Sequence, residues 1–234
     1  MEPKGLIITI DGPAGAGKST IAKRLAKKLG YLYLDTGAMY RVVALAARRK
    51  GLSFEDEKAI SLLAKTLSFE LHPAEDGVKV FLEGEDVSEA IRTPEIDELS
   101  SRVASIAEVR KALQERQREI GRHGAIVAEG RDMGSEVFPD AQVKFFLTAS
   151  PETRAKRRYE QQKAKGLPVS YEKVLEDIKR RDERDSMRKV APLIKPGDAI
   201  EIDSSYLSPD EVLERIITEI EKVKQKCHKN RTSR

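Results

Sequence analysis

This chain has little of several features that define whole classes of protein. Its 234 residues include one cysteine, Cys227, and no tryptophan. A single cysteine cannot form an internal disulfide, which excludes a secreted scaffold held by disulfides. The apolar run near the start, Leu6–Ile10, is too short for the core of a signal peptide and far too short to cross a bilayer. We therefore expect a cytoplasmic protein without a membrane segment.

The net charge of +4 conceals an uneven distribution. Residues 222–234 hold six basic side chains and no acidic one, whereas residues 1–221 carry 37 basic and 39 acidic side chains. Within residues 154–189, 13 basic side chains outnumber seven acidic ones. These counts predict an acidic body, one basic segment and a basic, flexible tail at 222–234. One alternative function is that of a nucleic-acid-binding protein that uses this basic tail. The affinity of such binding would fall steeply as the salt concentration rises. Because the tail lacks aromatic residues, we expect no nucleic-acid partner.

Hydrophobic spacing predicts an α/β fold. The runs Leu6–Ile10 and Tyr31–Leu34 are predicted to be strands, and the helical patterns Thr20–Leu29 and Ala38–Lys50 follow them. Strands that alternate with helices in this way predict a parallel sheet. Further core strands are expected at 125–128, 143–147 and 199–202. Further helices are expected at 55–67, 94–106, 109–121, 151–166, 171–184 and after a capping box that begins at Ser208.

A different pattern interrupts this alternation. Residues 68–72 and 78–82 are predicted strands joined by a turn at 73–77, and Val78, Val80 and Leu82 share one face. This pattern predicts a small antiparallel hairpin within an insertion at about residues 54–96. Framing of a substrate pocket is the interpretation we favour for it, and an oligomer interface is the alternative.

The segment Gly12–Ser19 carries the clearest chemistry. It reads Gly-x4-Gly-Lys-Ser between a predicted strand and a predicted helix, which is the complete P-loop pattern in its required context. Backbone N–H groups and the helix N-terminus bind phosphates, Lys18 reaches the β- and γ-phosphates, and Ser19 ligates Mg²⁺. The expected ATP-binding residues are Gly12, Pro13, Ala14, Gly15, Ala16, Gly17, Lys18, Ser19 and Thr20.

Other classes of P-loop protein lack support in the sequence. The only asparagine is Asn230, so a guanine-reading Asn-Lys-x-Asp motif cannot lie in the core. The sequence contains neither the Leu-Ser-Gly-Gly-Gln of transporter ATPases nor the His-Arg-Asp loop of protein kinases, and it is short for a helicase. A compact kinase that acts on a small acceptor remains.

Arginines are concentrated in two predicted helices on either side of a break at 166–169. Their expected shared faces hold Arg154, Arg157 and Arg158 on the first helix and Arg181, Arg184 and Arg188 on the second. Phosphoryl transfer requires neutralised charge and exclusion of water. Residues at about 151–190 are therefore predicted to form an arginine-rich lid, with a solvated surface as the alternative.

Several motifs together resemble the bacterial cytidylate kinase family of P-loop nucleoside monophosphate kinases. They are Gly12–Ser19, Asp35–Arg41, Glu83–Val87 with Ile91–Thr93, Gly130–Gly134 and Arg180–Asp185 through Ala191–Leu193. The resemblance spans about residues 5–220 and implies a three-layer P-loop NTPase fold with an inserted nucleoside monophosphate (NMP)-binding subdomain and a lid. It implies transfer of the γ-phosphoryl group of ATP to CMP or dCMP with Mg²⁺, in a single kinase domain at 1–221 that is expected to be monomeric.

The resemblance also implies roles for individual residues. The acceptor phosphate would be bound by Arg41 and Arg131, with Arg188 nearby. Cytosine would be recognised by Ser101, Arg110 and Asp132. The sugar would be held by Arg181 and Asp185, and the pocket would be lined by Thr36 and Tyr40. Arg157 resembles the lid arginine above the donor phosphates, so the expected catalytic residues are Lys18, Arg131, Arg157 and Arg188. Glu129 stands where many members have Asp, and it would join Ser19 in holding Mg²⁺ through water.

The hydrogen-bonding groups of cytosine support recognition of this base by a carboxylate. Its 4-amino group donates to Asp132, whereas uracil presents an acceptor there and leaves two acceptors facing each other. Because the attacking acceptor oxygen is already anionic, no general base is expected, and His72, His123 and His228 are predicted bystanders. Kinases of another small acceptor, such as uridylate or shikimate, remain the alternative within the class.

Overall fold

A computed structural model describes residues 5–75, 77–188 and 190–232, with side chains described through residue 225. Its strands are β1 (Ile7–Asp11), β2 (Leu32–Asp35), β3 (Phe69–Ala74), β4 (Gly77–Leu82), β5 (Glu85–Asp86), β6 (Ile126–Glu129), β7 (Val143–Thr148) and β8 (Ile200–Asp203). Its α-helices are α1 (Lys18–Leu29), α2 (Thr36–Arg49), α3 (Glu57–Thr66), α4 (Pro94–Val103), α5 (Ala107–Gly121), α6 (Pro151–Ala164), α7 (Tyr171–Ser186) and α8 (Pro209–Thr232).

The expected parallel sheet is confirmed. Five strands pair in the order β2-β6-β1-β7-β8, and every pairing is parallel. Successive side chains of a strand point to opposite faces. In β6, Ile126, Val127 and Ala128 are all fully buried, so helices cover both faces of the sheet. The result is a three-layer α/β fold whose strand carboxyl ends meet at one edge.

The loop between β1 and α1 occupies that edge. Gly12 has φ 142°, and a Cβ added there would lie 1.9 Å from the carbonyl oxygen of Leu147. Gly17 caps α1 in the left-handed region, with φ 95°. Only glycine fits both positions, which accounts for two of the glycines in the P-loop pattern.

The inserted unit is a three-stranded antiparallel sheet in the order β3-β4-β5. The expected face of Val78, Val80 and Leu82 is confirmed, since all three side chains are buried. The turn expected at 73–77 was wrong in extent, because β3 continues to Ala74 and Pro73 pairs with Val78. The two-residue strand β5 was not expected.

The helix expected at 94–106 ends early, at Val103. The main chain turns at Ala104 before α5 begins at Ala107. At this break, the carbonyl oxygen of Ala104 accepts a hydrogen bond from the Arg110 side chain at 3.1 Å. The early end of α4 therefore helps to fix a predicted site residue.

Helices α6 and α7 pack against each other around a small core of their own. Ala155, Val174 and Ile178 are buried there, apart from the main core. Ser150 caps α6 with its side chain, and Pro151 occupies the first turn, as expected. Lys189, within the predicted lid, lies outside the described residues.

The last helix is longer than expected. Ser208 and Glu211 form the predicted capping box, with reciprocal hydrogen bonds of 3.3 and 2.8 Å. Helix α8 continues to Thr232 and thus includes much of the basic segment at 222–234. The side chains from residue 226 onward, including Cys227 and His228, lie outside the described residues, so the flexibility expected of this segment stays a prediction. None of the described helices is both long and apolar enough to cross a membrane.

Candidate active site

A cavity of about 700 Å³ opens at the carboxyl edge of the parallel sheet. The P-loop, the start of α2, parts of α4 and α5, the segment after β6 and helices α6 and α7 all contribute side chains to it. Nine cationic and five acidic side chains line the cavity. This excess of positive charge suits a ligand that carries several phosphate charges.

The P-loop end of the cavity brings a lysine, a hydroxyl and a carboxylate together. The Lys18 ammonium donates to the carbonyl of Pro13 at 2.8 Å. Burial, followed by repulsion from Arg131, lowers the pKa of Lys18. The Ser19 hydroxyl donates to Glu129 at 3.0 Å, and the Tyr33 hydroxyl donates to the second oxygen of the same carboxylate. Glu129 is thereby held in one orientation beside the P-loop.

Asp11, the last residue of β1, connects the P-loop strand to the segment after β6. Its two carboxylate oxygens accept from the backbone N–H groups of Met133 and Gly134 at 2.9 and 2.7 Å. Burial raises the pKa of Asp11 to about 6, although the two backbone hydrogen bonds act in the opposite direction. This carboxyl group fixes the position of the segment that carries Arg131 and Asp132.

The far end of the cavity contains a buried ion pair between Arg110 and Asp132. Their side chains are only 2% and 3% exposed. Arg110 donates to the Oδ2 atom of Asp132, and Gln114 donates to the same oxygen at 2.9 Å. Two donors from α5 therefore hold Oδ2 of Asp132, and no described residue donates a hydrogen bond to its Oδ1.

Other polar atoms at this end are also unpaired. The Ser101 hydroxyl, the Arg110 Nε atom and the Tyr40 hydroxyl are buried and have no hydrogen-bond partner among the described residues. Burial raises the pKa of Tyr40 to about 12, so its hydroxyl stays protonated. The Arg110 guanidinium lies 5.6 Å from the centre of the Tyr40 ring. We name Ser101, Arg110 and Asp132 the base-side cluster, which offers donors and one acceptor to a ligand.

Asp185 on α7 holds two arginines that point into the cavity. Arg131 donates to it at 2.9 Å, and Arg188 pairs with its other oxygen. Burial by itself raises the pKa of Asp185, but attraction by Arg131 and Arg188 outweighs it and leaves this pKa below the ordinary value. The arrangement places two guanidinium groups between the P-loop and the base-side cluster.

Asp97 on α4 gathers three further arginines. Its carboxylate lies 2.5 Å from Arg158, 2.7 Å from Arg181 and 3.5 Å from Arg41. These arginines belong to α6, α7 and α2, so one acidic side chain joins elements from both sides of the cavity.

Arg157 lies over the P-loop end. It donates to the backbone carbonyl of Ser204 at 2.6 Å and to the hydroxyl of the same residue at 3.1 Å. The Ser204 hydroxyl in turn donates to the carbonyl of Ala16 within the P-loop, at 3.1 Å. Arg157 is therefore connected to the P-loop through the segment after β8.

Arg154 corrects the expectation that three arginines of α6 share a face toward phosphates. Its side chain is buried, donates to the carbonyls of Ala149 and Ala14, and makes a bidentate pair with Asp182 at 2.7 and 2.9 Å. Arg154 therefore has a structural role, because it joins α6 to α7 and to the P-loop. Arg184 also lies outside the cavity lining and pairs with Glu98 instead.

The structure brings nearly all predicted site residues into one place. The cavity is lined by the expected acceptor-side residues Thr36, Tyr40, Arg41, Ser101, Arg110, Arg131, Asp132, Arg181, Asp185 and Arg188, by Arg157 and Glu129, and by Ala14, Gly15, Ala16, Gly17, Lys18, Ser19 and Thr20. Gly12 and Pro13 do not line it. His72 and His123 are exposed and also lie outside its lining, while His228 lies outside the described residues.

Sequence reasoning missed four side chains that arrange the site. They are Asp11, Tyr33, Asp97 and Gln114. Asp11 directly precedes the P-loop pattern, which is a signal that could have been used. The other three are recognisable only from their partners, which lie 18 to 96 positions away in the chain.

Comparison with solved structures shows the fold. A gluconokinase from Sinorhizobium meliloti superposes with a TM-score of 0.50, covering 98% of this chain and 99% of its own, at 13% sequence identity. This similarity supports the three-layer architecture and, at such low identity, nothing about the substrate.

Comparison of sequences is more specific. Residues 8–222 match the family described as cytidylate kinase. The cytidylate kinase of Caldanaerobacter subterraneus subsp. tengcongensis is 54% identical over 92% of this chain and 94% of its own length. That of Bacillus subtilis is 49% identical over 93% of this chain and 97% of its own. With the P-loop and the base-side cluster facing one cavity, the chain belongs to the cytidylate kinase family.

Proposed function

We propose that this protein transfers the γ-phosphoryl group of ATP to CMP or dCMP and forms CDP or dCDP together with ADP. The observation that carries the proposal is one cavity with a P-loop at one end and the base-side cluster at the other. A donor triphosphate and an acceptor monophosphate would then meet between them, where arginines are concentrated. Direct transfer in line follows from this arrangement, without a phosphorylated protein intermediate.

The base-side cluster matches the pairing edge of cytosine. The free Oδ1 atom of Asp132 accepts from the 4-amino group, while Arg110 Nε and the Ser101 hydroxyl donate to N3 and O2. Uracil would present an acceptor to the carboxylate, and unpaired buried groups cost about 1–3 kcal/mol each. Recognition of cytosine therefore depends on Asp132.

The arginines between the two ends bind and orient the phosphates. Arg41 and Arg131 grip the acceptor phosphate with Arg188 beside them, and Arg181 and Asp185 contact the sugar. On the donor side, Lys18 and the P-loop N–H groups hold the triphosphate, and Arg157 covers it. These cations stabilise the charge that spreads over the transferring phosphoryl group, which is the main requirement of this reaction.

The residues present fit a Mg²⁺ ion at the P-loop end. Magnesium prefers oxygen ligands, keeps several waters and is commonly held by one or two protein groups together with substrate phosphates. The Ser19 hydroxyl and the Glu129 carboxylate lie 3.0 Å apart and offer such a pair. When bound, the ion would neutralise phosphate charge. The Tyr33 hydroxyl donates a hydrogen bond to Glu129 and so holds this side chain, which is longer than that of Asp, toward Ser19.

We also propose how the parts of the chain act. The insertion at about 54–96 frames the acceptor, and α6 and α7 form a lid that excludes water during transfer. The acceptor oxygen is anionic, so the chain needs no general base, and none of the three histidines takes part. We propose a monomeric protein that works in the cytoplasm.

The test is a panel of acceptors assayed side by side with ATP and Mg²⁺. CMP, dCMP, UMP, AMP and shikimate would be compared by ADP release, with the variant Lys18→Ala as the control for contaminating kinases. We expect CMP and dCMP to exceed the other acceptors in kcat/KM by at least about tenfold. Equal or faster use of UMP, AMP or shikimate would overturn the proposal.

A further inference from the structure

Asp97 is the acidic centre of a cluster of three arginines. Its Oδ2 atom lies 2.5 Å from Arg158 and 2.7 Å from Arg181, while its Oδ1 atom lies 3.5 Å from Arg41. Its side chain is 13% exposed and lines the central cavity. Burial alone would raise the pKa of Asp97, but attraction by Arg181, Arg158 and Arg41 outweighs it and holds this pKa well below the ordinary value. The carboxylate is therefore charged at any pH at which the enzyme works.

The same cluster retains unused donors. The Nη1 atom of Arg41 and the Nε atom of Arg181 are buried and have no hydrogen-bond partner among the described residues. Arg41 is also 3.8 Å from Asp35, so it sits between two carboxylates without a close hydrogen bond to either. A phosphate group offers three strong acceptor oxygens and forms shorter, charge-assisted bonds with guanidinium groups.

We propose that Asp97, held in place by Arg158 and Arg181, is an internal competitor of the acceptor phosphate for Arg41. The inference rests on the proposed function, in which Arg41 grips the phosphate of CMP. The negative charge of Asp97 repels that phosphate and attracts Arg41, so it weakens binding of the acceptor and of the phosphorylated product alike. Asp97 acts through the arginines and is a positioning residue.

The neighbouring residue provides a matched control. Glu98 lies next to Asp97 on α4 and makes a bidentate pair with Arg184 of α7, at 2.9 and 3.1 Å. Neither Glu98 nor Arg184 lines the cavity. Glu98→Gln therefore removes the same charge and a similar contact between α4 and α7, without removing a hydrogen bond to an arginine that lines the cavity.

The experiment measures affinity for CMP and for cytidine, which has the same base and sugar but no phosphate. Calorimetry would be performed at low salt on the wild-type protein, Asp97→Asn and Glu98→Gln. We expect Asp97→Asn to bind CMP about tenfold more tightly, because one negative charge beside the phosphate is removed. Cytidine affinity should stay within about twofold in both variants, and Glu98→Gln should bind CMP like the wild type. In kinetics, the KM for CMP should fall in Asp97→Asn while the KM for ATP does not change.

Three results would overturn the proposal that Asp97 competes with the acceptor phosphate. They are unchanged or weaker CMP binding by Asp97→Asn, an equal gain for cytidine, and an equal effect of Glu98→Gln. If Asp97→Asn is unstable, its unfolding temperature still reports the interaction, because CMP should raise it more than it raises that of the wild type. An equal rise would count against the proposal. A wild-type protein that does not phosphorylate CMP would instead refute the proposed function.

Discussion

The substitution Asp132→Asn tests the proposed reading of cytosine most directly. The two α5 donors, Arg110 and Gln114, both contact Oδ2 of Asp132. An asparagine here keeps its carbonyl oxygen toward these donors, because the amide nitrogen would clash with them. Its NH₂ group then takes the place of Oδ1, the oxygen that the proposed function assigns to the base. The acceptor at this position becomes a donor.

The size of the effect follows from counting unpaired groups. With CMP, the new NH₂ faces the 4-amino group, and two buried donors without partners cost about 2 kcal/mol. With UMP, the NH₂ donates to the carbonyl oxygen and removes a mismatch of about the same size. The preference for CMP over UMP should therefore fall by about 4 kcal/mol, or about 10³-fold in the ratio of kcat/KM. Since the buried Arg110 loses its counter-charge, the free energy of unfolding should fall by about 3 kcal/mol or more.

The assay is ADP release with CMP or UMP as the acceptor, below the unfolding temperature of the variant. Asp140→Asn, the same change at an exposed residue outside the cavity, is the matched control and should leave the ratio unchanged. A folded Asp132→Asn protein that keeps the wild-type preference for CMP would refute the reasoning, because it would show that this carboxylate does not read the base.

Three further predictions concern the P-loop and its support. Lys18→Ala should abolish ADP release and leave circular dichroism unchanged, whereas loss of folding would show that the loop is structural. The raised pKa of Asp11, about 6 against an ordinary 3.8, means that ionisation destabilises the folded state. Urea unfolding should therefore show wild-type stability falling from about pH 4 to pH 7 by about 2 kcal/mol relative to Asp11→Asn, and parallel pH curves would contradict this. Glu129→Gln should raise the Mg²⁺ concentration for half-maximal activity about tenfold, and an unchanged requirement would remove Glu129 from the metal site.

Much of the fold could be predicted from local patterns. The strand before Gly12 and the helix after it follow from apolar spacing, and the cap at Ser150 and the capping box at Ser208 follow from residue type. Errors arose where distant partners decide the outcome. The strand β3 includes Pro73 because β4 pairs alongside it, and α4 stops at Val103, where Arg110 contacts the free carbonyl of Ala104.

The same distinction between local pattern and distant partners applies to the candidate site. Motifs name most of its residues, because phosphate binding and base reading need particular side chains in particular order. The role of an arginine depends on what it faces, and charge patterning does not report this. Arg154, Arg157 and Arg158 are close in sequence, yet their partners differ. Arg154 bonds to the P-loop carbonyl of Ala14, Arg157 to the segment after β8, and Arg158 to Asp97 on α4.

The sequence by itself determined the P-loop, the order of strands and helices and the family, since these depend on local residue pattern and spacing. Only the tertiary structure decided which carboxylates hold which arginines. Asp97, Asp132 and Asp185 lie far apart in the chain and meet at the cavity because parallel strands and the helices α4 and α7 converge at one edge of the sheet. Buried charges need partners at hydrogen-bond distance, and such partners exist only once the chain has folded.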